Sequence, residues 1–307
     1  MPTTVIARTT SDLKHAWLTF IHKSTVAGIV LATILFASGF ASPAFAQGAG
    51  VTIYGVTTSG RLVRFDSANP CTVSTPLKIE GLQPNEQVLG IDFRPSTGLL
   101  YALGSSSRVY TVNLATAVAT PVGATAFTPA LEGTAFGFDF NPVVDLIRIV
   151  SNTGQNLRVS PASGAVVGVD VPLAYAAGDP NAGVLPTVAG AAYTNPDTNP
   201  ATPTTLYDVD VDLDVLATQN PANSGALQTR ATHGVRTNEL LGFDIAVMNG
   251  LNVGYAALKV GGGGRRECGN STLVQIDLTT GGVTLLDGIG TQQPITGLAV
   301  YIPPPTM

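Results

Sequence analysis

Apolar residues along this chain fall in short runs rich in Val, Ile, Phe, Tyr and Thr, broken by Gly, Pro, Asn and Asp. Beyond the first 46 residues almost no 3.6-residue periodicity is present, so the pattern predicts strands and turns rather than helices. The stretch Gly137–Pro161, GFDFNPVVDLIRIVSNTGQNLRVSP, contains the whole unit. A strand runs from Gly137 to Phe140, a turn falls on Asn141-Pro142, and a second strand covers Asp145–Val150. A polar loop, Ser151–Asn156, then leads into a third strand at Leu157.

The unit recurs. Its first strand reads Gly, apolar, Asp or Ala, apolar at Gly90–Phe93, Gly137–Phe140, Gly190–Tyr193, Gly242–Ile245 and Gly297–Val300, at spacings of 47, 53, 52 and 55 residues. The second strand carries Tyr54, Tyr101, Tyr207 and Tyr255, with Ile147 in the remaining copy. Third strands follow at Leu62–Phe65, Val109–Val112, Leu157–Val159, Val215–Thr218 and Leu273–Ile276. Asp66, Asn113, Ser160 and Asp277 close four of them, where a side-chain oxygen can cap a turn. A short fourth strand ends each unit, as at Ala117–Val122 and Val283–Leu286.

Four strands repeated at about 50 residues predict the blades of a β-propeller. The fold class expected is all-β, a five-bladed propeller with four antiparallel strands per blade. A β-solenoid is the alternative, but its repeats are shorter. The last first-strand copy, Gly297–Tyr301, has no room for strands after it, and Val51–Ile79 supplies three strands with no first strand before them. The two ends are therefore expected to share one blade, which closes the ring and removes exposed edges.

The segments GIDFRPSTGLLYAL, FGFDFNPVVDLIRIVSNTGQNLR, AGDPNAG, AAYTN and TTLYDVD together resemble the exported bacterial family known as domain of unknown function 4394. The resemblance covers nearly all of the chain after residue 46. It implies an exported, propeller-like protein with no established activity, and it carries over no catalytic residues.

The N-terminus changes the picture of where the domain begins. Arg8, Lys14 and Lys23 precede an apolar run, Val26–Phe40, and then Ala44-Phe45-Ala46. That order reads as a secretory signal over 1–46, cut before Gln47, with an uncleaved membrane anchor as the alternative. One propeller domain, 47–307, remains. Without Arg8, Lys14, Lys23 and Asp12 it holds 12 Lys+Arg and 19 Asp+Glu. This dispersed acidic balance argues against nucleic acid or an anionic membrane as partner. His233 is the one histidine left, too little for a His-rich zinc site or a Ser-His-Asp triad. A monomer is expected.

Candidate chemistry divides between the two faces of the ring. Turns joining first to second and third to fourth strands form the turn face, with Arg94-Pro95, Asn141-Pro142 and Asn195-Pro196 read as structural. The other loops form the connection face. It gathers the polar residues Asn152, Gln155, Asn156, Tyr175, Asp179, Asn181 and Arg265, together with the segment around His233 and Arg236. A ligand site is expected there, over the third to fifth blades. Asp92, Asp139 and Asp244 sit alike in three first strands and read as structural, with Arg94, Arg148 or Arg158 as partners, or else as the lining of a polar or cation-holding channel.

The run Asp208-Val-Asp210-Val-Asp212-Leu-Asp214 admits calcium weakly, since it lacks the EF-hand glycine and terminal glutamate. Gly261–Arg266 lacks the Gly-Lys-Ser/Thr ending of a phosphate loop and reads as a flexible hairpin. Cys71 and Cys268 are the only cysteines. One follows a third strand and the other precedes one, so they are expected on opposite faces as free thiols.

The residues favour a module binding a glycan, peptide or protein, because amides dominate the connection face and no acid–base pair stands out. A hydrolase or lyase acting on an extracellular polymer is the second reading, with two carboxyls about 5–10 Å apart in a pocket as its signature.

Overall fold

The computed structural model describes residues 50–199, 201–232, 240–259 and 268–303, with the side chains of 240 and 241 excepted. The leader, His233, Arg236 and Arg265 lie outside these residues. Ala46–Met307 forms one compact unit.

The described chain is nearly all β and forms a five-bladed propeller. Blade I holds β1 (Thr52–Thr57), β2 (Arg61–Asp66), β3 (Asn69–Val73) and the two-residue β4 (Leu77–Lys78). Blade II holds β5 (Val88–Arg94), β6 (Leu99–Gly104), β7 (Arg108–Val112) and β8 (Ala119–Pro121). Blade III holds β9 (Phe136–Asn141), β10 (Leu146–Ser151), β11 (Asn156–Val159) and β12 (Val166–Val169). Blade IV holds β13 (Ala174–Tyr175), β14 (Val188–Tyr193), β15 (Leu206–Asp210), β16 (Val215–Gln219) and β17 (Ala226–Thr232). Blade V holds β18 (Leu240–Met248), β19 (Leu251–Leu258), β20 (Ser271–Ile276) and β21 (Val283–Ile289).

The last strand, β22 (Ile295–Val300), returns to blade I as its innermost strand, giving the order β22-β1-β2-β3. It pairs with β1 antiparallel, Ile53 opposite Val300 and Gly55 opposite Leu298. The two ends of the domain thus complete one sheet, as the repeat spacing requires. Blade IV departs from four strands: on its way from blade III the chain lays β13 parallel against the outer edge of β17.

The core is divided into five clusters, one per blade interface. Tyr54, Leu62, Phe93 and Leu100 join blades I and II, and Tyr101, Leu103, Phe140 and Ile147 join II and III. Val150, Tyr193 and Leu206 fill III–IV, Leu216, Ile245 and Ile276 fill IV–V, and Ile53, Phe65, Tyr255 and Leu273 fill V–I. Each large side chain fully buried this way contributes about 1.5–3 kcal/mol, so every blade depends on both neighbours. The turns follow the sequence signal. Side-chain oxygens of Asp66, Asn113, Ser160 and Asp277 accept backbone N–H groups two or three residues on.

The cysteines overturn the expectation of free thiols. Cys71 and Cys268 form a disulfide between blades I and V, with Cα atoms 5.5 Å apart. The expectation treated the ring's faces as flat. Twist of about 20–25° per strand accumulates across a blade, so an outer strand lies strongly inclined to the inner one. The connection-side corner of one blade then meets the turn-side corner of the next. Register also shifts between Phe65 and Asp66, and Pro70–Thr72 bulge out of β3 toward blade V. There the N–H of Gly290 donates to the Pro70 carbonyl at 3.0 Å. A Cβ on Gly290 would lie 1.9 Å from the Cys71 carbonyl oxygen, so glycine is required at this contact.

Candidate functional site

The repeated Gly-x-Asp/Ala signature builds the axis of the ring. A Cβ added at Gly90 would lie 2.8 Å from Phe138 Cβ, one at Gly137 2.5 Å from Ala191 Cβ, and one at Gly242 2.8 Å from Leu298 Cβ. Gly90, Gly137, Gly242 and Gly297 thus face the residue after the glycine of the next blade, and the missing side chain sets how closely the inner strands approach.

Two residues further along, the aspartates cap the same strands. Asp92 accepts the N–H groups of Phe93 and Phe140 at 2.7 and 2.8 Å. Asp139 accepts that of Tyr193 at 2.8 Å, and Asp244 those of Ile245 and Val300 at 2.5 and 2.6 Å. All five inner strands thus have their N–H at this level taken by three carboxylates. The two blades without an aspartate carry Ala192 and Ala299 and are served by a neighbour.

Oxygens of the three buried carboxylates come within 4.8 Å of one another. Burial, and then the neighbouring Asp244 charge, lifts Asp92 well above the usual carboxylate range; burial and the Asp92 charge do the same to Asp139. Burial raises Asp244 to about 7. The arginines expected as partners go elsewhere: Arg94 pairs with Asp145, and Arg148 and Arg158 with Asp170.

Above this layer, at the connection face, the axis opens into a cavity of about 230 Å³. The five signature glycines and the residues following them line it, with Gln87, Thr134 and Thr296 among the side chains nearer its mouth. The aspartates do not line it. A second cavity, about 160 Å³, lies between blades III and IV beside Arg148, Arg158, Tyr193 and Asn223.

The described polar residues of the expected ligand surface each make hydrogen bonds within the protein. Asn152 accepts the N–H of Thr134 at 2.9 Å, and Gln155 accepts that of Glu132 and donates to the Ala130 carbonyl. Together they pin the segment before β9 to the β10–β11 loop. Asn156 is buried, accepting from Arg148 and donating to the Val171 and Ala222 carbonyls. Asp179 and Asn181 both bond Thr229 and so fasten the blade III–IV connection to β17. Tyr175 is buried, its hydroxyl donating to Asp210 at 2.8 Å.

Arg148, buried at 2% exposure, is the centre of this interface. It donates to Asn156 and Asp170 at 2.6 Å and to Asn223 at 2.7 Å. Burial alone would raise the Asp170 carboxyl, but hydrogen bonds from Arg158 and Arg148 outweigh it and hold the group below its usual range.

Of the three weak calcium candidates, Asp210 and Asp212 share Thr187 as a partner and Asp208 stands apart. Asp210 accepts the Thr187 N–H besides the Tyr175 hydroxyl and caps its own hairpin through Asp212 and Leu213. Asp212 accepts the Thr187 hydroxyl at 2.8 Å. Asp208 is fully buried with neither oxygen hydrogen-bonded. Burial pushes it up to about 8 against the pull of the Arg148 charge. Sequence reading missed the axial cavity because it searched for polar side chains, whereas most of the lining residues are glycine or apolar. The signal available was the glycine that opens all five first strands.

The chain belongs to the family described as Domain of unknown function (DUF4394), which matches residues 61–299. No curated protein matches it. Among solved structures, a chain of a nidogen/laminin complex aligns with a TM-score of 0.46 at 11% identity, over 82% of this chain and 98% of that one. A structural genomics protein of unknown function from Bacteroides thetaiotaomicron VPI-5482 aligns with a TM-score of 0.45 at 12% identity, over 83% and 66%.

Proposed function

We propose that this member of the DUF4394 family is a non-catalytic binding module, acting outside the cytoplasm, whose ligand seat is the axial cavity on the connection face. The observation that carries the reading is the cavity's construction. All five blades contribute to it, its walls are rigid inner strands, and it combines apolar and polar lining as small-molecule sites do. The leader order of residues 1–46 and the Cys71–Cys268 disulfide support export, since such bonds persist in oxidising compartments. Cleavage of a polymer would need an acid and a base at the cavity wall. The converging carboxylates instead lie beneath it, their oxygens given to backbone N–H groups.

Gln87→Trp places a bulky ring at the cavity from a position just before the inner strand β5. In a ligand screen read by thermal shift and calorimetry, compounds that bind the parent protein are expected to lose binding in this variant. Ligands that bind both proteins equally would move the site away from the axis.

A further inference from the structure

The inner strands present two successive layers of inward N–H groups, and only the lower layer is capped by the protein. In an antiparallel pair, a residue outside the hydrogen-bonded pairs turns its N–H away from its partner strand, and this alternates every two residues. The N–H groups of Phe93, Phe140, Tyr193, Ile245 and Val300 turn inward, because all five are bonded to the three axial aspartates. Two residues earlier on the same strands, the N–H groups of Ile91, Phe138, Ala191, Phe243 and Leu298 turn inward as well. The registers are continuous between the two positions in every blade. These five residues line the cavity. No ladder joins one blade's inner strand to the next, and no side-chain acceptor among the described residues meets these groups.

The asymmetry between the layers comes from the signature itself. An aspartate two residues after the glycine caps the lower layer, so a carboxylate at the glycine position would cap the upper one. That position is glycine in all five blades. The upper layer is therefore a concave ring of donors about 7 Å above the lower one, from a rise of about 3.3 Å per residue. Converging backbone N–H groups of this kind make anion-binding concavities.

We propose that the cavity is an oxyanion seat for a small carboxylic acid, whose carboxylate accepts inward N–H groups from the ring of Ile91, Phe138, Ala191, Phe243 and Leu298, as each aspartate accepts one or two of those beneath. This rests on the reading of the cavity as the ligand seat and names its ligand class. The carbonyls of the same residues also turn inward, so a hydroxyl next to the carboxylate gains an acceptor, and small hydroxy acids fit best. Burial and crowding raise Asp92 and Asp139 well above the usual carboxylate range and so weaken the repulsion of such a ligand by the aspartate layer below.

Gly297 provides the decisive substitution. A Cβ there meets nothing closer than 3.4 Å, and one of its nearest atoms is the Ile91 nitrogen. Gly297→Asp would supply an internal carboxylate to the upper ring, whereas Gly297→Ala adds the Cβ alone. The experiment is calorimetric titration of the parent, Gln87→Trp, Gly297→Ala and Gly297→Asp proteins with glycolate and glucuronate, and with their uncharged counterparts glycolamide and glucose.

In the parent, the acids are expected to bind at least about tenfold more tightly than the neutral compounds, as charge-assisted hydrogen bonds are roughly twice as strong. Gln87→Trp and Gly297→Asp should lose this binding, and Gly297→Ala should lose less of it than Gly297→Asp. Neutral compounds binding as well as acids, with Gln87→Trp abolishing both, would overturn the oxyanion seat and leave the cavity reading standing. Equal loss in the Ala and Asp variants would do the same. Acids that bind Gln87→Trp unchanged would overturn both readings, and acids that fail to bind the parent would overturn the seat. The comparison of acid with amide uses the parent protein alone, so it holds even where a variant folds poorly.

Discussion

Asn156 on blade III donates to the carbonyl of Ala222 on blade IV at 3.1 Å, and this contact joins the same two corners that the disulfide joins between blades V and I. In both cases the beginning of a third strand meets the segment following the third strand of the next blade. One interface fastens that corner with an amide and the other with a covalent bond.

The covalent corner gives the first prediction. Cys71 and Cys268 are 197 residues apart, and a loop of that length corresponds to about 5 kcal/mol in the chain-entropy treatment, with measured values commonly about 2–5. Replacing both cysteines by serine should therefore lower the urea midpoint clearly, with a steeper slope because the unfolded chain without the crosslink exposes more surface. Alkylation should label the native protein only after reduction. Labelling without reductant would remove the bridge from the account.

Arg148 and Asn156 should behave as core residues. Arg148→Met leaves the oxygens of Asn156 and Asn223 without this donor and Asp170 with one arginine, so a loss of about 3–5 kcal/mol is expected. Asn156→Ala should cost about 1–3 kcal/mol by orphaning buried groups. Arg94→Ala, at a half-exposed pair with Asp145, should cost about 1 kcal/mol. Equal losses for Arg148 and Arg94 in chemical denaturation would contradict the assigned burial.

The signature glycines should differ among themselves. Gly137→Ala forces a Cβ to 2.5 Å from Ala191, whereas at Gly297 the nearest atoms are 3.4 Å away. Overpacking of the first kind costs about 1–3 kcal/mol or more, and the second substitution should be nearly neutral. Comparable melting temperatures for the two variants would show that the inner strands slide apart easily.

Asp208 predicts a pH dependence. Burial raises its folded pKa to about 8 from an ordinary 3.8. Below 3.8 the group is protonated in both states, and its favourable contribution is complete. As pH rises toward 8 the unfolded chain ionises while the folded one resists, and that contribution is lost. Asp244, raised to about 7, acts in the same sense. Asp208→Asn should therefore raise the melting temperature at pH 9 and change it little at pH 4, with a gain of roughly 2–3 kcal/mol at the alkaline end. A gain of equal size at both pH values would mean that the carboxyl ionises in the folded protein as it does in the unfolded chain.

The fold was legible because a propeller repeats its punctuation. Glycine, the second-strand tyrosine and the turn-capping Asp66, Asn113, Ser160 and Asp277 recur at one period, and the incomplete units at the two ends can complete only each other. Contacts between blades were much less legible. Cys71 and Cys268 meet through accumulated twist and a bulge in β3, neither of which leaves a period in the sequence. The hydrogen bonds that Asn152, Gln155, Asp179 and Asn181 make within the protein were not legible, because their partners, largely backbone groups of other segments, have no side-chain signature. The axial cavity was hidden for the same reason: its donors are peptide N–H groups, which every residue but proline possesses.

The shared blade also governs the order in which the protein can come into being. As the chain emerges from the N-terminal end, β1 waits with one edge unpaired until β22 arrives, the last strand to be made. Blades II to V can form their own hairpins meanwhile, but the axis has no fifth wall before then. Any ligand held by all five inner strands is thus a reporter of finished chains: a product stopped short of Ile295 retains most of its sheets and none of its seat.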